Sequence, residues 1–147
     1  PACYFGKNCL VTGIGDKVYK KIKFPKYYFI LVNPKIPLSA KKMYEKIEQY
    51  KIIDKNYINK VSKLKTLHKN DSGNDFEKII RIENKQIANL LDFLSTLKNS
   101  AFSGISGSGS CCYVVFKNKN NAKQAFDLLT VKFSNYWIFL TENNIVD

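Results

Sequence analysis

The chain is 147 residues long, the length of one ordinary domain or of a domain with a small appendage. Hydrophobic residues make up 45% of it and aromatic residues 14%, a composition that excludes wholesale disorder. Its longest unbroken apolar runs, Tyr27 to Val32 and the equally long Cys111 to Phe116, are too short to cross a bilayer.

The formal net charge of +12 raises the hypothesis of a nucleic-acid partner. Of the 24 basic residues only Arg81 is an arginine, whereas side chains that read bases and phosphates in a bidentate manner are mostly arginines. The charge therefore predicts a general affinity for anions, nucleotides and polyphosphates included, and is weak evidence for RNA or DNA binding.

The four cysteines, Cys3, Cys9, Cys111 and Cys112, form no CxxC pair, and the chain has one histidine, His68. Zinc sites need closely spaced ligand pairs, and adjacent cysteines rarely bridge each other. We therefore expect no metal site, a reduced cytoplasmic protein, and cysteines that act as small core residues. His68 lies in a lysine-rich segment and is expected to be a solvated loop residue.

The chain begins with two short strand-like pieces around the glycine turn at residues 13–15. Residues 27–32 predict a buried strand that ends at Asn33 and Pro34. Ser39 is a suitable N-cap for the helix that follows. The expected apolar face of that helix comprises Ala40, Met43, Tyr44 and Ile47.

Residues 50–72 are rich in lysine and asparagine and predict only an irregular helix and a loop. Asn74 is expected to cap a short helix, with Glu77 completing a capping box. The clearest amphipathic helix has an apolar face made of Ile87, Leu90, Leu91, Leu94 and Leu97.

Two strands and a helix follow, with residues 106–110 as the loop between the strands, and a last strand covers residues 136–140. The expected buried face of the helix comprises Ala122, Ala125, Phe126 and Leu129. From Tyr27 onward the order is strand, helices, strand, strand, helix, strand. This order predicts an α+β, ferredoxin-like split βαβ fold with extra helices in the first crossover.

The glycine-rich stretch from Gly104 to Ser110 is the most pointed local feature. Glycine lets successive backbone amides approach an anion, and serine adds hydroxyl donors. The stretch is neither a Walker loop nor a dinucleotide fingerprint, and taken alone it also fits a plain hairpin turn. Asp75 and Glu77 are explained by their place at a helix start. The residues by themselves show no complete enzyme active site.

An RNA-recognition module is the strongest competing interpretation of the strand after this loop. Aligning Phe116 with the last aromatic of that motif brings Tyr113 and Val114 into register. Cys111 then occupies a base-stacking position, and Gly109 stands where lysine or arginine is required. Half of the positions of the RNA-recognition motif are therefore not matched.

Four segments in the same order resemble the C-terminal half of 4-diphosphocytidyl-2-C-methyl-D-erythritol kinases, a family of GHMP-type small-molecule kinases. They are residues 5–17, the Leu-Val-Asn-Pro-Lys-Ile-Pro-Leu-Ser passage at 31–39, Asn-Asp-Phe-Glu at 74–77, and residues 106–116. The resemblance covers nearly the whole chain. It implies that residues 1–24 are the end of the N-terminal kinase domain and that residues 25–147 are the GHMP kinase C-terminal domain.

The resemblance implies ATP-dependent phosphorylation of a hydroxyl on a cytidine-diphosphate-linked methylerythritol, in non-mevalonate isoprenoid biosynthesis. It also implies that ATP and Mg²⁺ are held mainly by an N-terminal domain missing from this chain, which carries the catalytic lysine and aspartate. No catalytic residue is therefore expected here, and an inactive truncated remnant is the alternative. The residues expected near the substrate diphosphate are Ser106, Gly107, Ser108, Gly109 and Ser110.

Tyr44 aligns with an aromatic residue that stacks on the cytosine ring in this family, and a core position on its helix is the competing interpretation. Two positions depart from the family pattern. Lys35 replaces the usual glycine after Asn33 and Pro34, where its ammonium group is able to hold a phosphate, and Ala40 replaces a threonine.

Overall fold

The computed structural model describes residues 9–13, 15–20, 25–47, 56 and 73–143. The predictions for His68, Cys3 and most of residues 50–72 lie outside the described residues. The described elements are β1 Cys9–Thr12, β2 Lys17–Lys20, β3 Tyr28–Asn33, α1 Ala40–Glu45, α2 Asp75–Glu83, α3 Lys85–Ser95, β4 Phe102–Ile105, β5 Cys112–Phe116, α4 Lys119–Lys132 and β6 Trp137–Glu142.

The main sheet has four antiparallel strands in the order β4-β5-β3-β6. The two central strands, β3 and β5, pair from Tyr28 opposite Phe116 to Val32 opposite Cys112. With α1, α2 and α3 between β3 and β4, and α4 between β5 and β6, this is the strand order of a split βαβ fold. The predicted α+β, ferredoxin-like architecture with extra helices in its first crossover is confirmed.

The core lies between one face of this sheet and the layer formed by α2, α3 and α4. Ile30 and Val32 of β3 point into it because alternate residues of a strand face opposite sides. The four predicted core positions within α3 are buried, and so is the fifth, Leu97, two residues beyond the end of the helix. In α4, Ala122, Ala125 and Leu129 are buried as predicted, whereas Phe126 is half-buried. Each fully buried leucine or isoleucine contributes about 1.5–3 kcal/mol. This burial holds the helices on the sheet.

The start of α2 confirms Asn74 as a cap but corrects the predicted capping box. The Asn74 Oδ1 atom accepts from the Phe76 amide at 3.0 Å. The Glu77 carboxylate accepts from Arg81 Nε at 3.0 Å, four residues along the same helix. Arg81 Nη1 also donates to Asp92 of α3 at 2.6 Å. Glu77 therefore pairs with an arginine one turn further along its own helix, and this ion pair takes the place of the capping box. The same arginine joins α2 to α3 through Asp92.

Helix α1 confirms Ser39 as its N-cap, since the Ser39 hydroxyl accepts from the Lys42 amide at 3.4 Å. Its predicted apolar face is wrong at two positions. Met43 is buried, whereas Ala40 and Tyr44 are exposed. The helix spans only six residues, so it has fewer than two turns in which to present one continuous face.

Strands β1 and β2 pair with each other as a separate antiparallel sheet, with Cys9 opposite Lys20 and Thr12 opposite Lys17. The predicted pair of short strands at the beginning of the chain is thereby confirmed. Among the residues that the structure describes, no helix is long and apolar enough to cross a membrane.

The turn after β3 places a lysine in a left-handed backbone conformation. Lys35 has φ of 60°, and its amide donates to the Asn33 side-chain oxygen at 2.8 Å. A residue with a Cβ pays roughly 1–2 kcal/mol in this conformation, whereas glycine adopts it freely. The turn therefore explains why a glycine is suited to this position, and Lys35 occupies it under strain.

We expect the substitution Lys35→Gly to raise the free energy of unfolding by about 0.5–1 kcal/mol, because relief of the strain exceeds the added backbone entropy of glycine in the unfolded chain. Urea and thermal unfolding would measure the change. Lys35→Ala is the matched control, since it removes the same charge and keeps the strained φ. Equal stability gains in the two variants would contradict the backbone explanation.

Candidate functional site

The loop at residues 106–110 connects β4 to β5 and is held at both ends. The Ser106 amide donates to the Cys111 carbonyl at 2.8 Å, and the Gly109 amide donates to the Ser106 carbonyl at 3.0 Å. These two bonds close a hairpin turn. The loop is thus a hairpin turn in its geometry, and this leaves its predicted phosphate role open.

The side chain of Asn74 fixes the loop to the beginning of α2. Its Nδ2 group donates to the carbonyls of Ile105 at 2.9 Å and Gly107 at 2.8 Å, while its Oδ1 atom caps the helix. The side-chain amide of Asn74 thus satisfies one helix amide, the carbonyl at the end of β4 and one loop carbonyl. Both carbonyls lie more than 30 positions away in sequence. The loop and the positive end of the α2 dipole are held side by side.

Two glycines give the loop its shape, for different reasons. Gly107 has φ of 54° with open space where a Cβ would stand. Gly109 has φ of 85°, and a Cβ there would lie 2.8 Å from Ile105 Cδ1, 3.0 Å from Leu38 Cδ1 and 3.1 Å from Ile80 Cδ1. Gly109 therefore lets the loop backbone pack directly on the apolar core.

The loop leaves several donors for a ligand. Within the described part of the chain, the amides of Gly107, Ser108 and Ser110 make no hydrogen bond, and neither do the Ser106 and Ser108 hydroxyls. Ser106 and Gly107 are exposed, and Ser108 is partly exposed. Unpaired amides close together in one short loop are a feature of anion-binding concavities.

The segment between β3 and α1 runs along this loop. The Ser110 hydroxyl donates to Asn33 Oδ1 at 3.4 Å, and the Leu38 side chain lies against Gly109. Ser110 is 8% exposed, so its hydroxyl supports the loop from inside. Among the five predicted phosphate-loop residues, Ser110 is therefore the one whose side chain forms a hydrogen bond within the fold.

Tyr44 lies on α1 with 56% of its surface exposed. Its ring meets Phe76 edge to face, with centroids 4.9 Å apart and an interplanar angle of 87°. Phe76 is two residues beyond Asn74, which binds the loop. The exposure of Tyr44 excludes its core interpretation. The exposed ring of Tyr44 packs against the first turn of α2, the helix whose cap holds the loop.

The two cysteines at the start of β5 are poor nucleophiles. Burial raises the pKa of the Cys112 thiol to about 12, with smaller effects of neighbouring charges. Burial also raises the pKa of the Cys111 thiol, against the lowering effect of a hydrogen bond with the Val32 backbone. Cys9, Cys111 and Cys112 are free thiols, and Cys112 is a small core residue as expected.

Sequence reasoning placed the loop, Asn74 and Tyr44 but missed two of their partners. Asn33 stands in the sequence only as the end of a strand and part of the family passage, although its side-chain oxygen accepts from the Ser110 hydroxyl. Phe76 was not connected with Tyr44. Both contacts join residues far apart in sequence, and no local pattern signals them. In the described ranges, no group of three or more histidine, cysteine, aspartate or glutamate side chains is arranged to hold a metal ion.

Comparison with protein families gives a match of residues 50–133 to the family described as GHMP kinases C terminal. Two curated relatives bear the name 4-diphosphocytidyl-2-C-methyl-D-erythritol kinase. The protein of Buchnera aphidicola subsp. Schizaphis graminum is 35% identical over 129 residues, which cover 88% of this chain and 41% of the relative. That of Anaplasma phagocytophilum is 30% identical over 145 residues, which cover 96% and 48%. The chain thus spans slightly less than half of these relatives.

Two solved structures share the fold. A crystal structure of 4-(cytidine 5'-diphospho)-2C-methyl-D-erythritol kinase superposes with a TM-score of 0.69 at 14% identity, covering 96% of this chain and 52% of that one. The homoserine kinase of Cytophaga hutchinsonii superposes with a TM-score of 0.56 at 17% identity, covering 98% and 50%. At these identities the likeness concerns the fold alone.

We expect Gly109→Ala to cost about 1–3 kcal/mol more stability than Gly107→Ala. Both substitutions place a Cβ at positive φ, but only the one at Gly109 also overpacks the core against Ile105, Leu38 and Ile80. Urea unfolding of the two variants measures the difference. Equal losses would show that the core does not confine the loop at Gly109.

Proposed function

Because this chain belongs to the family of GHMP kinase C-terminal domains, we propose that it forms the substrate-binding part of a 4-diphosphocytidyl-2-C-methyl-D-erythritol kinase of isoprenoid biosynthesis. Tyr44 would stack on the cytosine ring, and residues 106–110 would bind the diphosphate or the transferred phosphoryl group. The names of the relatives support this substrate.

The observation that carries the proposal is the common anchoring of the two candidate subsites. Asn74 binds the loop carbonyls, and Phe76 in the same first turn of α2 contacts the Tyr44 ring. A ligand with a flat base at one end and two phosphates next to it matches such an arrangement of an aromatic ring and unpaired amides. Stacking of a base on an aromatic side chain contributes about 1–3 kcal/mol.

The chemistry expected of the loop is stabilisation of charge. Phosphoryl transfer proceeds through a transition state with negative charge spread over the oxygens, and catalysis is mostly positioning and electrostatics. The unpaired amides of Gly107 and Ser108 lie in a loop that is held before a ligand arrives, because Asn74 and the hairpin bonds anchor it. Fixed donors need little reorganisation during the reaction.

The remaining parts of the reaction are proposed to lie in the half of the relatives that this chain does not match. The described residues offer no ligand cluster for Mg²⁺, so that ion, ATP and the catalytic lysine and aspartate are assigned to that half. Residues 1–24 are proposed to belong to it as well, which the separate β1–β2 sheet supports. A cytoplasmic location and an inactive, truncated state of the isolated chain also remain predictions.

Tyr44→Ala should weaken binding of cytidine diphosphate by roughly tenfold, the equivalent of a lost stacking contact. Amide-shift titration measures this, with saturating shifts expected at residues 44 and 106–110. Tyr44→Phe keeps the ring and should stay within about twofold of the original affinity. Because Tyr44 is exposed, neither substitution is expected to unfold the domain. Unchanged affinity in Tyr44→Ala would contradict the stacking assignment.

An oligouridine serves as the control ligand for the RNA-binding alternative. Arg81, the single arginine, is engaged by Glu77 and Asp92 and is thus occupied within the fold. We expect broad, salt-sensitive shifts over the exposed lysines without saturation at Tyr44. Saturable oligouridine binding on β5 together with silence toward cytidine diphosphate would favour the RNA-binding module and contradict the kinase proposal.

The isolated chain is expected to transfer no phosphate from ATP to the cytidine-diphosphate-linked substrate, because the catalytic lysine and aspartate are assigned to the half of the relatives that it does not match. A coupled assay that detects ADP measures this. Turnover by purified chain, absent from a mock purification, would contradict the assignment of the catalytic residues to the other half.

A further inference from the structure

We infer that Lys35 is a substrate-binding residue that contacts the diphosphate between the base and the loop. This inference rests on the proposed function, since it takes residues 44 and 106–110 as the two ends of the ligand site. It adds a cation to a site otherwise built from an aromatic ring and uncharged donors. The ligand chemistry it recognises is a diphosphate dianion or trianion.

The position of Lys35 follows from the contacts on either side of it. Asn33, two residues before it, meets the Ser110 hydroxyl, and Leu38, three residues after it, lies against Gly109. Ser39 then caps α1, the helix that carries Tyr44. The segment with Lys35 therefore passes along the loop and leads directly to the aromatic ring. The inference places a ligand that spans both subsites across this segment.

The segment exposes Lys35 while it buries its neighbours. Pro34 is buried, and Ile36 and Leu38 pack against the core, whereas Lys35 is exposed. This alternation orients the side chain of Lys35 toward solvent. Within the described residues no carboxylate forms an ion pair with it, unlike Lys46, which pairs with Glu83 at 2.6 Å. Its charge is thus available for an anionic ligand.

The backbone conformation of Lys35 is a second observation that points to a ligand site. Lys35 holds φ of 60°, a conformation stabilised by the bond from its amide to Asn33 and better suited to glycine. Residues held in such conformations concentrate at ligand sites, where the surrounding structure fixes them. Here the same Asn33 oxygen that fixes Lys35 also meets the loop at Ser110, so the lysine and the loop share one anchor.

The test is an amide-shift titration with inorganic pyrophosphate at low ionic strength, on the full chain and three variants. Lys35→Gly should weaken binding about three- to tenfold, the effect of one exposed charge pair with a multivalent anion, and the effect should shrink near 0.5 M salt. Lys35→Arg keeps the charge and should stay within about twofold. Because Lys35→Gly is expected to be the more stable protein, a loss of affinity would not reflect unfolding.

Lys117→Ala is the matched control for net charge. Lys117 is exposed and follows the last residue of β5, whereas the loop precedes its first residue, so about 16 Å of strand separates them. Its removal should leave affinity within about twofold. Equal weakening in Lys35→Gly and Lys117→Ala, or none in Lys35→Gly, would overturn the inference.

The same titration separates this inference from the proposed function. Loop shifts at residues 106–110 that are unchanged in Lys35→Gly would leave the phosphate loop standing and overturn only the role of Lys35. Saturable binding that depends on Lys35 but leaves the loop amides unshifted would support the lysine and overturn the loop assignment. Absence of saturable pyrophosphate binding in the original chain would overturn both.

Discussion

The architecture of the candidate site depends on one side-chain amide, that of Asn74. Its oxygen satisfies an amide at the start of α2, and its nitrogen satisfies the carbonyls of Ile105 and Gly107. A buried or half-buried amide needs all of these partners, so helix and loop cannot shift independently without leaving polar groups unpaired. Ile80 of α2 packs against the same loop at Gly109, which adds apolar contact to the polar connection.

Because of this connection, the first turn of α2 contacts both parts of the candidate site, the loop and Tyr44. Arg81 joins α2 to Asp92 of α3, and α3 is buried on the sheet along its full apolar face. The loop and Tyr44 are therefore both anchored, through α2, to the buried helix α3. Donors held in place before binding lose little conformational freedom when the ligand arrives, so more of the interaction energy remains for affinity. A short glycine loop, flexible by composition, becomes ordered by its surroundings.

The sequence predicted most of the fold because the signals for it are local. The caps at Ser39 and Asn74 depend on residues within one turn, and the periodic apolar face of α3 depends on residues within a few turns. The strand order follows from the order of helices and strands along the chain. The predictions fail where the local pattern allows more than one outcome. Glu77 binds Arg81, one turn along α2, rather than completing the capping box, and α1 is too short for its periodicity to decide whether Tyr44 is buried. The site was predicted as separate pieces, and the contacts of Asn33 and Phe76 that assemble it have no local signature.

The fold of this domain and its side chains make different contributions to ligand recognition. The same half-length domain superposes on two kinases whose names specify different substrates, with TM-scores of 0.69 and 0.56. A fold common to both cannot by itself select a cytidine diphosphate. The part shared by such enzymes is the transfer of a phosphoryl group, which backbone amides in a loop are able to serve whatever the side chains are. Under the proposed function, selection of the rest of the ligand falls to exposed side chains, and Tyr44 and Lys35 are the two that we assign to it.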